Sequence, residues 1–179
     1  MKTLTLLRHA KSGSDDPALR DFDRQLNAKG RRAARTIGRH LAETDTGFDH
    51  VLASPAVRVI QTLEEVAHGY GRPIEPAWEK RIYLASAVTL LDVVHEAPAD
   101  AGRLLLVGHN PGLEDLVLYL TPEDGAALRD RVEEKYPTAS LAVLEFPVDR
   151  WSDAAPGQAR LTAFTRPRDL DPELGPDYE

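Results

Sequence analysis

Cysteine is absent from the 179 residues, so neither a disulfide framework nor a thiolate metal site can be built. No apolar run approaches the ~20 residues that a membrane-spanning helix requires. Positive charge is in deficit: 22 Lys and Arg against 29 Asp and Glu leave a formal net charge of −7. Such a surface repels nucleic acid and anionic membranes, so any positive potential must be local. The chain has no internal repeat and no linker that would divide it. A strand is read directly after Met1-Lys2, so no signal peptide is expected. The expectation is a soluble cytoplasmic protein that engages neither nucleic acid nor membrane. At 42% hydrophobic and 28% charged residues the composition is globular.

Three short apolar runs are present, and each stops at groups that bind or attack phosphate. Leu4-Thr5-Leu6-Leu7 runs into Arg8-His9-Ala10-Lys11-Ser12. Val51-Leu52-Ala53 runs into Ser54-Pro55-Ala56-Val57-Arg58, and Leu104-Leu105-Leu106-Val107-Gly108 into His109-Asn110-Pro111. Runs of this length read as buried strands. Open α/β sheets bind ligands beyond the carboxyl ends of their strands. If the three are parallel neighbours, Arg8, His9, Arg58 and His109 meet at one edge, without a nearby acidic cluster, and describe a site for a phosphoryl group.

Between these runs the chain reads as helices. A polar loop over 10–27 is longer than ordinary connections and is read as functional. Asn27 caps a helix with Ala33, Ala34, Ile37 and Leu41 on one face. Ser54 is read as the N-cap of the next helix with Pro55 at its first position. Gly69 to Pro76 reads as a turn-rich link, and 78–84 as irregular. Ser86 caps a helix carrying Val88, Leu91 and Val94, and Pro111-Gly112 opens one with Leu113, Leu116, Val117 and Leu120 inward. Thr121-Pro122 reads as a fresh helix start. Leu141–Phe146 and Leu161–Phe164 read as a strand hairpin at the sheet edge. Residues 167–179, with three prolines and five acidic side chains, read as a flexible tail.

In transfer, a phosphoryl group spreads negative charge over three equatorial oxygens, and catalysis is mostly positioning and electrostatic stabilisation. Guanidinium forks bind such oxygens bidentately, which suits Arg8 and Arg58. His9 is the candidate nucleophile, since a neutral imidazole can attack phosphorus and form a covalent intermediate. It needs a backbone carbonyl on its other ring nitrogen to fix the tautomer. His109 is the expected cationic or hydrogen-bonding stabiliser. Ser12 and Asn110 complete the cradle. No ligand cluster for Mg²⁺ or Zn²⁺ is visible, so no cofactor is expected.

These motifs resemble the histidine phosphatase superfamily, and within it the SixA-like phosphohistidine phosphatases. The resemblance is carried by Arg8-His9-Ala10-Lys11-Ser12, by Ser54-Pro55-Ala56-Val57-Arg58 with Gln61-Thr62, by Val107-Gly108-His109-Asn110-Pro111, and by Asp23-Arg24-Gln25-Leu26 with Gly30. Gln25 stands where that branch usually has proline. The resemblance extends to about Phe164. It implies a three-layer α/β fold of the phosphoglycerate-mutase-like type: an open, mostly parallel sheet with helices on both faces, as one domain over 1–166. It implies a metal-independent phosphatase acting on a phosphohistidine or phosphomonoester through a phosphohistidine on His9, with a phosphorylated protein or small molecule as its partner. It adds Arg24 as a phosphate ligand and Glu79, by order along the chain, as the general acid; Asp15 and Glu75 are weaker candidates. The readings set against it are a non-catalytic phosphate-binding module, which has no use for a nucleophile, and a mutase-type phosphotransferase, for which the chain is short.

Overall fold

The computed structural model describes residues 1–13 and 17–175. Six strands form one sheet in the order β3-β2-β4-β1-β5-β6: β1 (Lys2–Arg8), β2 (His50–Ala53), β3 (Ala77–Trp78), β4 (Arg103–Gly108), β5 (Leu141–Phe146) and β6 (Arg160–Thr165). β3, β2, β4 and β1 are parallel, while β5 and β6 run antiparallel at one side. The expected α/β class and mostly parallel sheet are therefore observed. The three strands that end in phosphate-binding groups are adjacent.

The helices α1 (Ala28–Glu43) and α2 (Val57–Tyr70) cover one face; α3 (Ala87–His95), α4 (Gly112–Leu120) and α5 (Ala127–Glu134) cover the other. Strand alternation sorts the core accordingly. Leu104 and Leu106 pack with α3 and α4, while Leu105 and Val107 pack with α1 and α2. Because both faces of β1 and β4 are covered, those strands are apolar without a break.

α1 and α2 cross closely because glycine allows it. A Cβ on Gly38 would lie 2.1 Å from the Val66 carbonyl oxygen, and one on Gly69 2.1 Å from that of Arg35. Gly69, read from the sequence as part of a turn, lies inside α2; the helix ends at Gly71, whose φ of +74° is the usual helix terminus.

Other boundaries also differ. α2 begins after Ala56, not at Ser54. The Ser54 amide is still in the sheet, donating to the Val107 carbonyl at 3.1 Å. Thr121 closes α4 instead of opening α5, its hydroxyl donating to the Val117 carbonyl at 2.7 Å. Val88 is 59% exposed, and Leu90 takes the core position expected of it.

The chain after 166, expected to be flexible, is structured through Gly175. A short helix α6 (Pro167–Leu170) and a 3₁₀ turn (Pro172–Leu174) follow β6. Leu174 is buried, Leu170 packs against the α1–α2 core, and Arg32 binds Asp171 and Glu173, each at 2.6 Å. Residues 176–179 of that expectation, and Asp15, lie outside the described residues. Among the described residues no helix is long and apolar enough to cross a membrane.

Candidate active site

At the end of β1 the chain is held on every side. The His9 amide donates to the Gly108 carbonyl at 3.1 Å, extending the ladder to β4. The Ala10 amide donates to the Thr62 hydroxyl at 2.9 Å, and that hydroxyl donates to the Arg58 carbonyl at 2.6 Å. Gly30 lets α1 start against this turn, because a Cβ there would sit 2.1 Å from the Lys11 carbonyl. The turn fixes the His9 ring. Its Nδ1 is 2.7 Å from the Ala10 carbonyl oxygen. A carbonyl only accepts, so Nδ1 carries the proton and Nε2 keeps its lone pair.

Arg58, in the first turn of α2, is 2% exposed. Its Nη1 donates to the Asp21 carbonyl at 2.7 Å and its Nη2 to Asp21 Oδ2 at 3.0 Å. Nη2 also lies 3.4 Å from His109 Nδ1. Arg58 Nε is buried with no hydrogen-bond partner among the described residues, a donor that an oxyanion would satisfy. His109, at the end of β4, stands with its ring centroid 5.3 Å from that of His9. Its Nε2 is 2.8 Å from Ser54 Oγ. With guanidinium donating toward Nδ1, the consistent tautomer has Nε2–H donating to Ser54. Arg8 donates from Nη1 to the Tyr136 carbonyl at 2.9 Å.

Arg8, His9, Arg58 and His109 thus come together at the carboxyl edge of the sheet. Arg24 reaches the same place through Asp21, with Nε 3.1 Å from Oδ1. Ser12 is buried in a bridge to Leu26. The Asn110 amide is already committed, donating to the Tyr136 carbonyl at 3.1 Å and accepting from the Glu114 amide at 3.2 Å.

Glu79 is not part of the cluster. It caps the 3₁₀ turn Lys80–Ile82 and binds the Arg81 guanidinium at 2.6 Å, which also binds Glu96. The Arg81 hydrogen bonds hold its carboxyl below the ordinary value. An ionised carboxylate engaged elsewhere donates no proton, so the geometry does not support Glu79 as the general acid.

Two residues at the site, Tyr83 and Asp21, were not among the expected site residues, and Ser54 was read only as a motif residue and helix cap. Ser54 faces His109. Tyr83 stacks edge-on against the His109 ring at 5.3 Å and donates its hydroxyl to Asp21 Oδ2 at 2.5 Å. Asp21 itself brings a carboxylate to the cluster, through its contacts with Arg58 and Arg24.

Both imidazoles are biased toward the neutral form. Burial pushes His9 well below its ordinary value; the Ala10 contact opposes this, and Arg8, His109 and Arg58 add to it. Burial and then Arg58 push His109 down to about 4, with Asp21 opposing. Of the two expectations for His109, a cation or a hydrogen-bonding group, the lowered pKa favours the second, because desolvation acts on both rings alike. This has a consequence for stability. The unfolded chain binds protons near pH 6.5 that the native site refuses, so the contribution is complete above 6.5 and is lost as pH falls toward 4. For His109 alone the loss at pH 5 is about 2 kcal/mol. Urea unfolding should give a lower midpoint at pH 5 than at pH 7.5, with the slope reduced in His109→Asn. Equal slopes in the two proteins would refute the assignment.

The residues 4–80 match the model of the histidine phosphatase superfamily (branch 1). An uncharacterized protein of Mycobacterium tuberculosis is 36% identical over 164 residues, covering 90% of this chain and 100% of that protein. A candidate phosphohistidine phosphatase SixA from Nakamurella multipartitia is 30% identical with a TM-score of 0.81, over 93% of this chain and 96% of that one. The chain belongs to the histidine phosphatase superfamily. Its place is in the SixA-like branch: a second SixA candidate, from Agrobacterium tumefaciens, is also 30% identical, with a TM-score of 0.77 over 92% of this chain and 97% of that one. The chain is accordingly a phosphatase of that superfamily, acting on phosphorylated substrates.

Proposed function

We propose that this phosphatase removes the phosphoryl group from phosphohistidine in proteins, through a covalent phosphohistidine on His9. The observation that carries the reading is the His9 ring, whose Nδ1 is tied to the Ala10 carbonyl at 2.7 Å, so that Nε2 is a pre-oriented nucleophile. Arg8, Arg24 and Arg58 hold the phosphoryl oxygens, and Arg58 Nε gains the acceptor it lacks. The arriving dianion favours the cationic form of His109, whose ring lies beside that of His9 while Ser54 keeps Nε2 in place. An alkyl ester would need its alkoxide protonated, and Glu79, bound to Arg81, is poorly placed to do so. A leaving imidazole places no such demand. SixA-type relatives support the same substrate class.

The test is a ranking of turnover on a phosphohistidine peptide, phospholysine, a phosphoserine peptide and common phosphate esters, with excess chelator throughout. Phosphohistidine is expected to give the highest kcat/KM, and chelator to change nothing, since the charge is supplied by arginine and histidine. Esters outrunning phosphohistidine would overturn the substrate, and activity lost to chelator and restored by Mg²⁺ would overturn the mechanism.

A further inference from the structure

The cluster contains an acidic side chain, Asp21, that neither attacks phosphorus nor binds the phosphoryl oxygens. Asp21 begins a short 3₁₀ turn, Asp21–Asp23, in the long loop after β1. Its carboxylate is gripped from three directions: Tyr83 Oη at 2.5 Å and Arg58 Nη2 at 3.0 Å, both on Oδ2, and Arg24 Nε at 3.1 Å on Oδ1. The Tyr83 ring that holds it packs against His109, at 5.3 Å, and lies under Arg58, 6.0 Å from centroid to guanidinium carbon. Asp21 is nevertheless half exposed, with a side-chain accessibility of 47%, so part of the carboxylate faces solvent at the edge of the cluster.

Its charge state is set by these neighbours. Partial burial opposes ionisation, but the hydrogen bonds from Tyr83 and Arg58 and the charges of Arg58 and Arg24 hold the carboxyl below its ordinary value. At neutral pH it is an anion that accepts hydrogen bonds. It carries no proton to give to an alkoxide.

We propose that the Asp21 carboxylate accepts the N–H of the departing imidazole ring and so selects N-phosphorylated over O-phosphorylated substrates. This rests on the phosphohistidine reading and names the residue that enforces it. The step balances without an acid. The substrate ring carries a proton on the nitrogen remote from phosphorus, and this N–H donates to Asp21. The His9 Nε2 lone pair forms the new P–N bond. The old P–N bond breaks, and its electron pair returns to the substrate ring, which leaves as neutral imidazole with its N–H in place. His9, keeping its Nδ1 proton, is now the phosphoimidazolium. Water then attacks phosphorus, the P–Nε2 pair returns to His9, and both water protons leave on inorganic phosphate. A carboxylate beside the substrate ring favours its protonated form. Beside an alkoxide the same carboxylate repels the charge that develops.

The experiment compares the holoprotein with Asp21→Asn and Tyr83→Phe on a phosphohistidine peptide and on p-nitrophenyl phosphate, whose phenolate leaves without a proton. The readout is the ratio of the two kcat/KM values, whichever way each rate moves. The ratio is expected to fall about 10- to 100-fold in Asp21→Asn, the range for a hydrogen bond to a charged group, and less in Tyr83→Phe, which loosens the carboxylate without removing it. A second readout is the alkaline limb of the phosphohistidine pH profile. In the wild type the kcat limb, set by the bound ring, should lie above the kcat/KM limb, set by the free ring; in Asp21→Asn the two should coincide. An unchanged ratio in both variants, with both rates moving together, would overturn the proposal and leave Asp21 as a mere prop or competitor for Arg58. The substrate reading fails separately, if the wild-type protein itself prefers the ester.

Discussion

Replacing His9 with alanine should lower kcat on any substrate by on the order of 10⁴ or more, as removal of a covalent nucleophile does, while much of the affinity for inorganic phosphate survives. The two halves of this expectation have different sources. Turnover depends on the Nε2 lone pair that the Ala10 carbonyl leaves free. Affinity depends on guanidinium donors, and Arg8, Arg24 and Arg58 are fixed by groups other than His9: the Tyr136 carbonyl for Arg8 and Asp21 for the other two. Turnover of a radiolabelled phosphoryl donor, quenched rapidly in base, should leave a label on the protein that is stable in alkali, lost in acid, and mapped to the peptide carrying His9. Absence of label at the shortest quench times, together with activity retained in the alanine variant, would refute the nucleophile.

What the sequence discloses here is whatever short-range patterning dictates. Strands buried on both faces, such as β1 and β4, need unbroken apolar runs, and the residues ending those runs are forced to one edge. Arg8, His9, Arg58 and His109 were legible for that reason. So was α1, whose cap Asn27 accepts from the Gly30 amide at 2.8 Å. Tertiary contacts decided the rest. Ser54 has the composition of a helix cap, and its hydroxyl does accept from the Ala56 amide at 3.3 Å, but its own amide continues the sheet to Val107 and the helix starts after Ala56. Leu170 and Leu174 are too sparse to announce a packed C-terminal segment; the pairing of Arg32 with Asp171 and Glu173 is long-range. Asp21 and Tyr83 lie 62 residues apart and become a pair only when the loop folds over the site. The sequence left His109 open as a cation or a hydrogen-bonding group, because the burial that outweighs every nearby charge is a tertiary property.

Arg58→Ala should cost about 3 kcal/mol of transition-state stabilisation, a loss of about 10² in kcat/KM, as when one pre-organised donor is removed from an oxyanion site. Arg58 is 2% exposed, and its Nε has no acceptor among the described residues until an oxyanion arrives. Its fork is pre-aimed by two bonds to Asp21, so little reorganisation is needed when charge develops on phosphorus. Removing it also frees two neighbours. His109 loses a cation that depresses it, so its pKa rises from about 4 but stays below the ordinary value, because burial, the larger cause, remains. Asp21 loses a hydrogen bond and a charge, so its carboxyl moves back up. Arg58→Lys restores charge without the planar fork and should recover only part of the rate. Steady-state kinetics with phosphate inhibition, and a titration of the His109 ring by NMR, measure the two effects separately. The transition-state role requires kcat to fall; a variant in which only KM rises would show that Arg58 holds ground state and transition state equally.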